Sequence, residues 1–124
     1  MKLHAEKGSG NYIQSVSAEA LVVSGTPYSG PLIVSAESIV TDWTPASLDE
    51  LSLADFEAAL ALEPEVILFG TGASHRFVSN RLMIEIMSRG IGFEVMATAA
   101  ACRTFNVLAA EDRRVVAVLL PAGG

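Results

Sequence analysis

The amino-acid sequence predicts a mixed α/β domain in which short antiparallel strands come first and an α-β-α-β-α-β run follows. Three observations predict this class. The chain is 51% apolar but only 6% aromatic, a composition that suits parallel strands buried beneath helices. The early apolar runs are joined by connections too short for parallel crossovers, so those strands are expected to pair antiparallel. The three later apolar runs are separated by segments with helical periodicity.

The length and the net charge of the chain limit the number of domains and the kinds of partner that we expect. Its 124 residues indicate one domain covering residues 1–124, in which residues 1–10 form a loose, charged lead-in. A formal net charge of −6 disfavours nucleic acid and anionic membranes, because both attract basic surfaces. No segment reaches the roughly 20 apolar residues of a membrane span, so we expect no membrane insertion. The first residues contain no apolar signal core, and the chain has a single cysteine. Both observations predict a cytoplasmic location.

Four short runs rich in β-forming residues predict the antiparallel strands. They are residues 12–16, 20–24, 31–34 and 38–41. Residues 25–30 contain two glycines and a proline, which predicts the turn between the second and third of these strands.

The first predicted helix follows residue 45. Ser52 and Asp55 have the spacing of a capping box, in which each residue bonds the main chain of the other. Three apolar residues then share one helical face: Leu53, Phe56 and Leu60. Pro64 ends this helix, because proline cannot continue the hydrogen-bond pattern.

Three strands and two helices complete the predicted order. The strands cover residues 66–69, 93–96 and 115–120, and the helices cover residues 77–89 and 99–109. One stripe of the earlier helix is apolar and consists of Val78, Leu82 and Ile86. A second stripe is charged, which predicts an ion-pair ladder of Arg81, Glu85 and Arg89. Thr98 is the predicted N-cap of the later helix.

Two strand-to-helix turns carry the candidate binding site. If the strands at 66–69 and 93–96 are parallel neighbours, both turns open at one sheet edge, where α/β folds place ligands. Glycine lets a ligand approach main-chain amides, and helix N-termini attract anions. The candidate ligand-binding residues are Gly70, Thr71, Gly72, Arg76, Thr98, Arg103 and Asn106.

Each candidate also has a structural interpretation. The glycine turn is more often a tight strand–helix connection that binds nothing. Arg103 can pair with a ligand, with Glu111 or with water, and Asn106 can line a pocket or bond a neighbouring main chain.

The sequence supplies no complete catalytic or metal-binding set. Cys102 precedes an arginine near a helix N-terminus, a setting that lowers a thiol pKa. A lone cysteine in an alanine-rich helix is nevertheless more often a small buried apolar residue, which is the interpretation we favour. His75 is the one nearby candidate for a base. We therefore assign no catalytic residue, metal or cofactor.

Longer motifs in the chain resemble those of one small protein family. They are FGTG at 69–72, SRGI at 88–91, MATAAACRTFNVL at 96–108 and EDRRV at 111–115. The turn at 28–30 and Trp43 also fit. The family comprises bacterial and archaeal domains of unknown function, the mitochondrial respiratory complex I assembly factor 3, and an adipogenesis-associated cytoplasmic relative. The likeness spans nearly the whole chain.

This resemblance implies a single three-layer β/β/α domain and no established enzyme activity, catalytic residue or cofactor. The mitochondrial members act by binding other proteins during assembly of a membrane-arm intermediate. Our leading hypothesis is a non-enzymatic binding module, an assembly or accessory factor with an unidentified protein partner. The alternative is a protein, or an enzyme, that binds a small molecule or anion in the crevice at residues 70–72 and 98–103. A structural subunit that works only as an oligomer is a third hypothesis.

Overall fold

The computed structural model describes residues 10–123, and the structural statements below concern that part of the chain. The predicted lead-in, apart from Gly10, lies outside it. The strands are β1 (Ile13–Val16), β2 (Leu21–Val23), β3 (Thr26–Tyr28), β4 (Leu32–Val34), β5 (Ile39–Val40), β6 (Val66–Gly70), β7 (Gly92–Met96) and β8 (Val115–Leu119). The helices are α1 (Glu57–Leu60), α2 (Asn80–Met87) and α3 (Thr98–Ala110), and two 3-10 turns (Leu48–Glu50 and Leu53–Phe56) precede α1.

These strands form two sheets. A central five-stranded sheet has the order β5-β4-β8-β6-β7, and β1, β2 and β3 form a separate antiparallel sheet. Strand β6 pairs parallel with both β7 and β8, whereas β4 pairs antiparallel with β8 and β5. The predicted α/β class, with antiparallel strands first and parallel strands later, is confirmed.

Alternating residues of the central strands build two cores. On β6, Val66 and Leu68 face the small sheet and α3, while Ile67 and Phe69 face the 3-10 turns, α1 and α2. This period of two places each strand between two apolar layers, and burying both faces of the central sheet supplies most of the stabilisation. The result is the three layers that the family resemblance implies, with α3 sharing the layer of the small sheet.

The N-terminal half contains a strand that the sequence did not predict. Residues 25–30 are not one long turn, because Ser24 and Gly25 alone make the connection, with φ values of 51° and 89°. Two consecutive positive φ values are typical of the tight hairpin turn whose twist matches its strands. The chain therefore resumes at once as β3. Pro27 has no N–H group to donate, which is tolerated because β3 lies at the edge of its sheet.

The first two predicted helices are shorter than the periodicity suggested. The first is divided into two 3-10 turns and the four-residue α1, although the Ser52 N–H does donate to Asp55 Oδ2 at 3.0 Å. The second begins at Asn80 rather than 77, because the Ser79 hydroxyl caps it by accepting from the Leu82 N–H at 3.1 Å. Of its predicted ladder, Arg81 pairs with Glu85 at 3.3 Å, while Arg89 lies beyond the helix end and has no ion pair within the described residues.

None of the three helices in residues 10–123 combines the length and the apolar character needed to span a membrane.

Candidate functional site

The two predicted turns do lie at one edge of the central sheet. Gly70, the last residue of β6, is in register with Met96 at the end of β7 and with Leu119 at the end of β8. The Thr71 N–H, just past the strand, donates to the Met96 carbonyl at 2.9 Å. Because the carboxyl ends of parallel strands meet there, this edge is the natural ligand position of an α/β fold.

Thr98 makes the hydrogen bonds that connect the segments at this edge. Its fully buried side chain accepts a hydrogen bond from the Gly72 N–H at 2.9 Å and donates one to the Leu120 carbonyl at 2.8 Å. Its own N–H donates to the Gly72 carbonyl at 2.9 Å. One side chain therefore joins the segments that follow β6 and β8 to the start of α3. The predicted N-cap role is wrong, because Ala97 is the capping residue and Thr98 is the first residue of the helix.

The two glycines of the turn are required for different reasons. A Cβ at Gly70 would lie 2.9 Å from both the Cα and the Oγ1 of Thr98, so the strand end and α3 can meet only if residue 70 has no side chain. Gly72 has a φ of 108°, a conformation that other residues adopt at a cost. Both requirements come from packing and turn geometry.

Three main-chain amides of the turns are already bonded within the protein. Those of Thr71, Gly72 and Thr98 donate to Met96, Thr98 and Gly72 respectively. The buried Thr71 hydroxyl donates to the Ser74 carbonyl at 2.7 Å and accepts from the Arg76 N–H at 3.0 Å. An anion bound to any of these three amides would have to replace its bond, at a cost of about 1–3 kcal/mol for each buried group that it left unpaired.

The side chains of the other three candidate residues take no part in this network. The side chains of Arg76 and Arg103 are exposed, and neither forms an ion pair within the described residues. Asn106 lies farther along α3 and bonds the main chain of β1, since its Oδ1 accepts from the Ile13 N–H at 2.9 Å and its Nδ2 donates to the Ile13 carbonyl at 2.8 Å. The side chain of Asn106 thus makes the hydrogen bonds that a neighbouring strand would make to β1. Of the two interpretations of Asn106 drawn from the sequence, this is the hydrogen bond to a neighbouring main chain.

Cys102 is buried in the core beneath the small sheet, as favoured from the sequence. Burial raises the pKa of its thiol from 9.0 to about 12, and the neighbouring Arg103 guanidinium lowers the pKa by a smaller amount. Since the thiolate is the reactive form, this environment suppresses reactivity.

We expect Cys102 in the folded protein to react with iodoacetamide at pH 8 roughly a thousandfold more slowly than a free thiol, because a pKa higher by about three units lowers the thiolate fraction by that factor. Labelling followed by mass spectrometry would measure the rate, with the urea-unfolded protein as the matched control. Comparable rates in the two states would contradict the burial of this side chain.

The surface of α2 is a feature that the sequence prediction missed. Phe77 is 84% exposed just before the helix, and Ile84 and Met87 are 66% and 52% exposed on it. The neighbouring Val78, Leu82 and Ile86 pack inward. A signal was present in the sequence, because Ile84 and Met87 fall outside the predicted Val78–Leu82–Ile86 stripe.

The chain is similar in sequence and in fold to known proteins. A family described as "Protein of unknown function (DUF498/DUF598)" matches residues 13–120. A zebrafish (Danio rerio) protein named NADH dehydrogenase (ubiquinone) 1 alpha subcomplex assembly factor 3 is 33% identical over 121 residues, which is 96% of this chain and 69% of that protein. The chain covers 62% of the cattle (Bos taurus) protein of the same name.

Bacterial proteins are similar as well. An uncharacterized protein of Rhodobacter capsulatus is 36% identical over 102 residues, covering 82% of this chain and 77% of that protein. The NMR structure of a Xanthomonas campestris protein is 36% identical with a TM-score of 0.82, and the match covers 91% of this chain and 86% of that one.

Proposed function

The chain belongs to the DUF498/DUF598 family of proteins of unknown function, and we propose that it is a non-enzymatic, protein-binding accessory factor in the assembly of a larger complex. The proposal is supported by the similarity, at 33% identity, to a zebrafish protein named as an assembly factor. The partner and the cytoplasmic location remain predictions.

The exposed apolar side chains of the α2 surface carry this proposal. We define that surface by six residues: Arg76, Phe77, Arg81, Ile84, Met87 and Arg89. The ring of Phe77 lies edge-on to that of His75, with centroids 4.8 Å apart, but it is 84% exposed and keeps most of its apolar area in water. Phe, Met and Arg are enriched at protein–protein interfaces, and exposed apolar groups rimmed by polar residues are typical of interaction sites. A partner that covers the surface would recover the stabilisation that folding leaves unused.

A paired substitution tests the proposal. We expect the double variant Phe77→Ala/Ile84→Ala to recover at least tenfold less of its partner than the wild type, because a central apolar anchor is worth about 2 kcal/mol or more. The measurement is quantitative mass spectrometry of proteins captured on the tagged chain from the cells that express it.

The control is Val107→Ala, since Val107 is 54% exposed on α3 rather than α2. This variant should recover as much partner as the wild type. Equal recovery by the double variant, or the absence of a stoichiometric partner in every sample, would count against the proposal. Both variants alter exposed side chains, so thermal unfolding should confirm that each is folded.

Anion binding at the β6 and β7 turns is the second candidate, favoured by one observation: the guanidinium groups of Arg76 and Arg103 are exposed and form no ion pair within residues 10–123. Binding through the amides of Thr71, Gly72 or Thr98 would require them to give up hydrogen bonds that they already make. A phosphate titration that shifts the amide signals of residues 70–72 and 98–103 would establish it. Unchanged signals would leave this edge as packing alone.

A further inference from the structure

We propose that the α2 surface binds an acidic amphipathic segment of a protein partner, with apolar residues along one side and Asp or Glu residues flanking them. This inference rests on the proposed protein-binding function and specifies the chemistry of the partner at the same site.

Charge on the α2 surface is opposite in sign to that of the chain as a whole. Three of the chain's six arginines lie between residues 76 and 89: Arg76, Arg81 and Arg89. All of its 14 acidic residues except Glu85 lie outside that span. Glu85 pairs with Arg81, whereas Arg76 and Arg89 have no ion pair within the described residues. The surface therefore offers unpaired guanidinium groups, which bind carboxylates through two parallel hydrogen bonds.

The apolar side chains of this surface have the arrangement of a docking site. Ile84 and Met87 lie one helical turn apart, so their side chains are neighbours. A peptide segment with apolar anchors one turn apart can lie on Ile84 and Met87. Arg81 lies one helical turn before Ile84 and would face the acidic flank of that segment.

A protein segment fits this surface better than an anionic membrane does. The 3-10 turns and α1 cover the same face of the central sheet as α2, and they carry the exposed acidic residues Asp49, Glu50 and Glu57. A bilayer is an extended negative plane that would also approach these carboxylates, which would repel it. A narrow peptide segment can contact α2 alone.

Two synthetic helical peptides test the proposal. They share one leucine face and differ only in their flanking residues, which are all glutamate in one and all lysine in the other. We expect fluorescence anisotropy to show at least tenfold tighter binding of the glutamate peptide, weakening between about 50 and 300 mM salt because exposed charges are screened. Arg76→Gln, Arg81→Gln and Arg89→Gln should each weaken it about three- to tenfold. Arg113→Gln should not, because Arg113 pairs with Glu65 outside this surface.

Equal affinity for the two peptides, or no binding of the glutamate peptide at millimolar concentration, would overturn this inference. So would sedimentation of the protein with phosphatidylglycerol vesicles in the absence of peptide binding. Failure here is distinguishable from failure of the proposed function. If Phe77→Ala/Ile84→Ala still loses a captured partner while the peptides show no charge preference, the binding function stands and only the acidic chemistry is wrong.

Discussion

Replacing Phe56 with alanine is expected to lower the free energy of unfolding by about 3–5 kcal/mol, the usual cost of removing a buried aromatic side chain. Phe56 is fully buried and meets three other rings edge-on, with centroid distances of 5.3 Å to Phe69, 5.6 Å to Phe93 and 6.4 Å to Trp43. Its ring attaches the second 3-10 turn to the central sheet. The substitution would remove those contacts and leave a cavity. A domain of this size has a total stability of about 5–15 kcal/mol, so the variant would be close to unfolding.

The chain supplies a matched control for this experiment. Phe77→Ala makes the same chemical change at a side chain that is 84% exposed, and its cost should stay within about 0.5 kcal/mol. Urea unfolding followed by circular dichroism would measure both variants. Phe56→Ala should also lower the melting temperature by roughly 10–20 °C. A loss below about 1 kcal/mol for Phe56→Ala would contradict the aromatic cluster, and a large loss for Phe77→Ala would show that its ring is packed.

These two phenylalanines also show what the sequence could predict. Phe56 has helical spacing with Leu53 and Leu60, and periodicity correctly predicts which face is buried. The segment is nevertheless mostly 3-10 turn. Burial of Leu53 and Phe56 fixes which side chains face the core, but it does not decide whether the main chain forms 3-10 or α-helical hydrogen bonds. Phe77 begins a segment of helical periodicity, but Ser79 caps the helix two residues later, and a local hydrogen bond of that kind is not visible in apolar spacing.

The strand order could be predicted from the sequence only in part. Continuous apolar runs indicate that β6 and β8 are buried, and the intervening helices indicate that the later strands are parallel. Their partners depend on tertiary contacts that no local pattern contains. Strand β4, for example, leaves the antiparallel N-terminal half and pairs with β8 near the end of the chain.

The candidate site was predicted in position but not in chemistry. Gly70, Thr71, Gly72 and Thr98 meet at the predicted edge, because parallel pairing brings strand ends together. Whether the Gly72 amide is open depends on the orientation of one hydroxyl, that of Thr98, across a separation of 26 residues. A glycine turn has the same sequence whether it approaches a ligand or a buried threonine.

Thr98→Val is expected to lower the free energy of unfolding by about 2–4 kcal/mol. Valine has nearly the shape of threonine but no hydroxyl, so the Gly72 N–H and the Leu120 carbonyl would lose their bonds to Oγ1. An unpaired buried polar group costs about 1–3 kcal/mol, and the side chain at residue 98 is fully buried. Urea unfolding would measure the loss, and Thr98→Ser should recover most of it because serine keeps both hydrogen bonds.

The same pair of variants separates the two interpretations of this edge. If the network serves packing alone, the loss in Thr98→Val should not depend on low millimolar phosphate, since at that concentration an anion raises stability only by binding the folded state. If the turns bind an anion, phosphate should stabilise the wild type and Thr98→Ser, because mass action favours the bound fold. A loss below about 1 kcal/mol in Thr98→Val would contradict the central role of this hydroxyl, since solvent or a shifted turn would then be satisfying Gly72 and Leu120 instead.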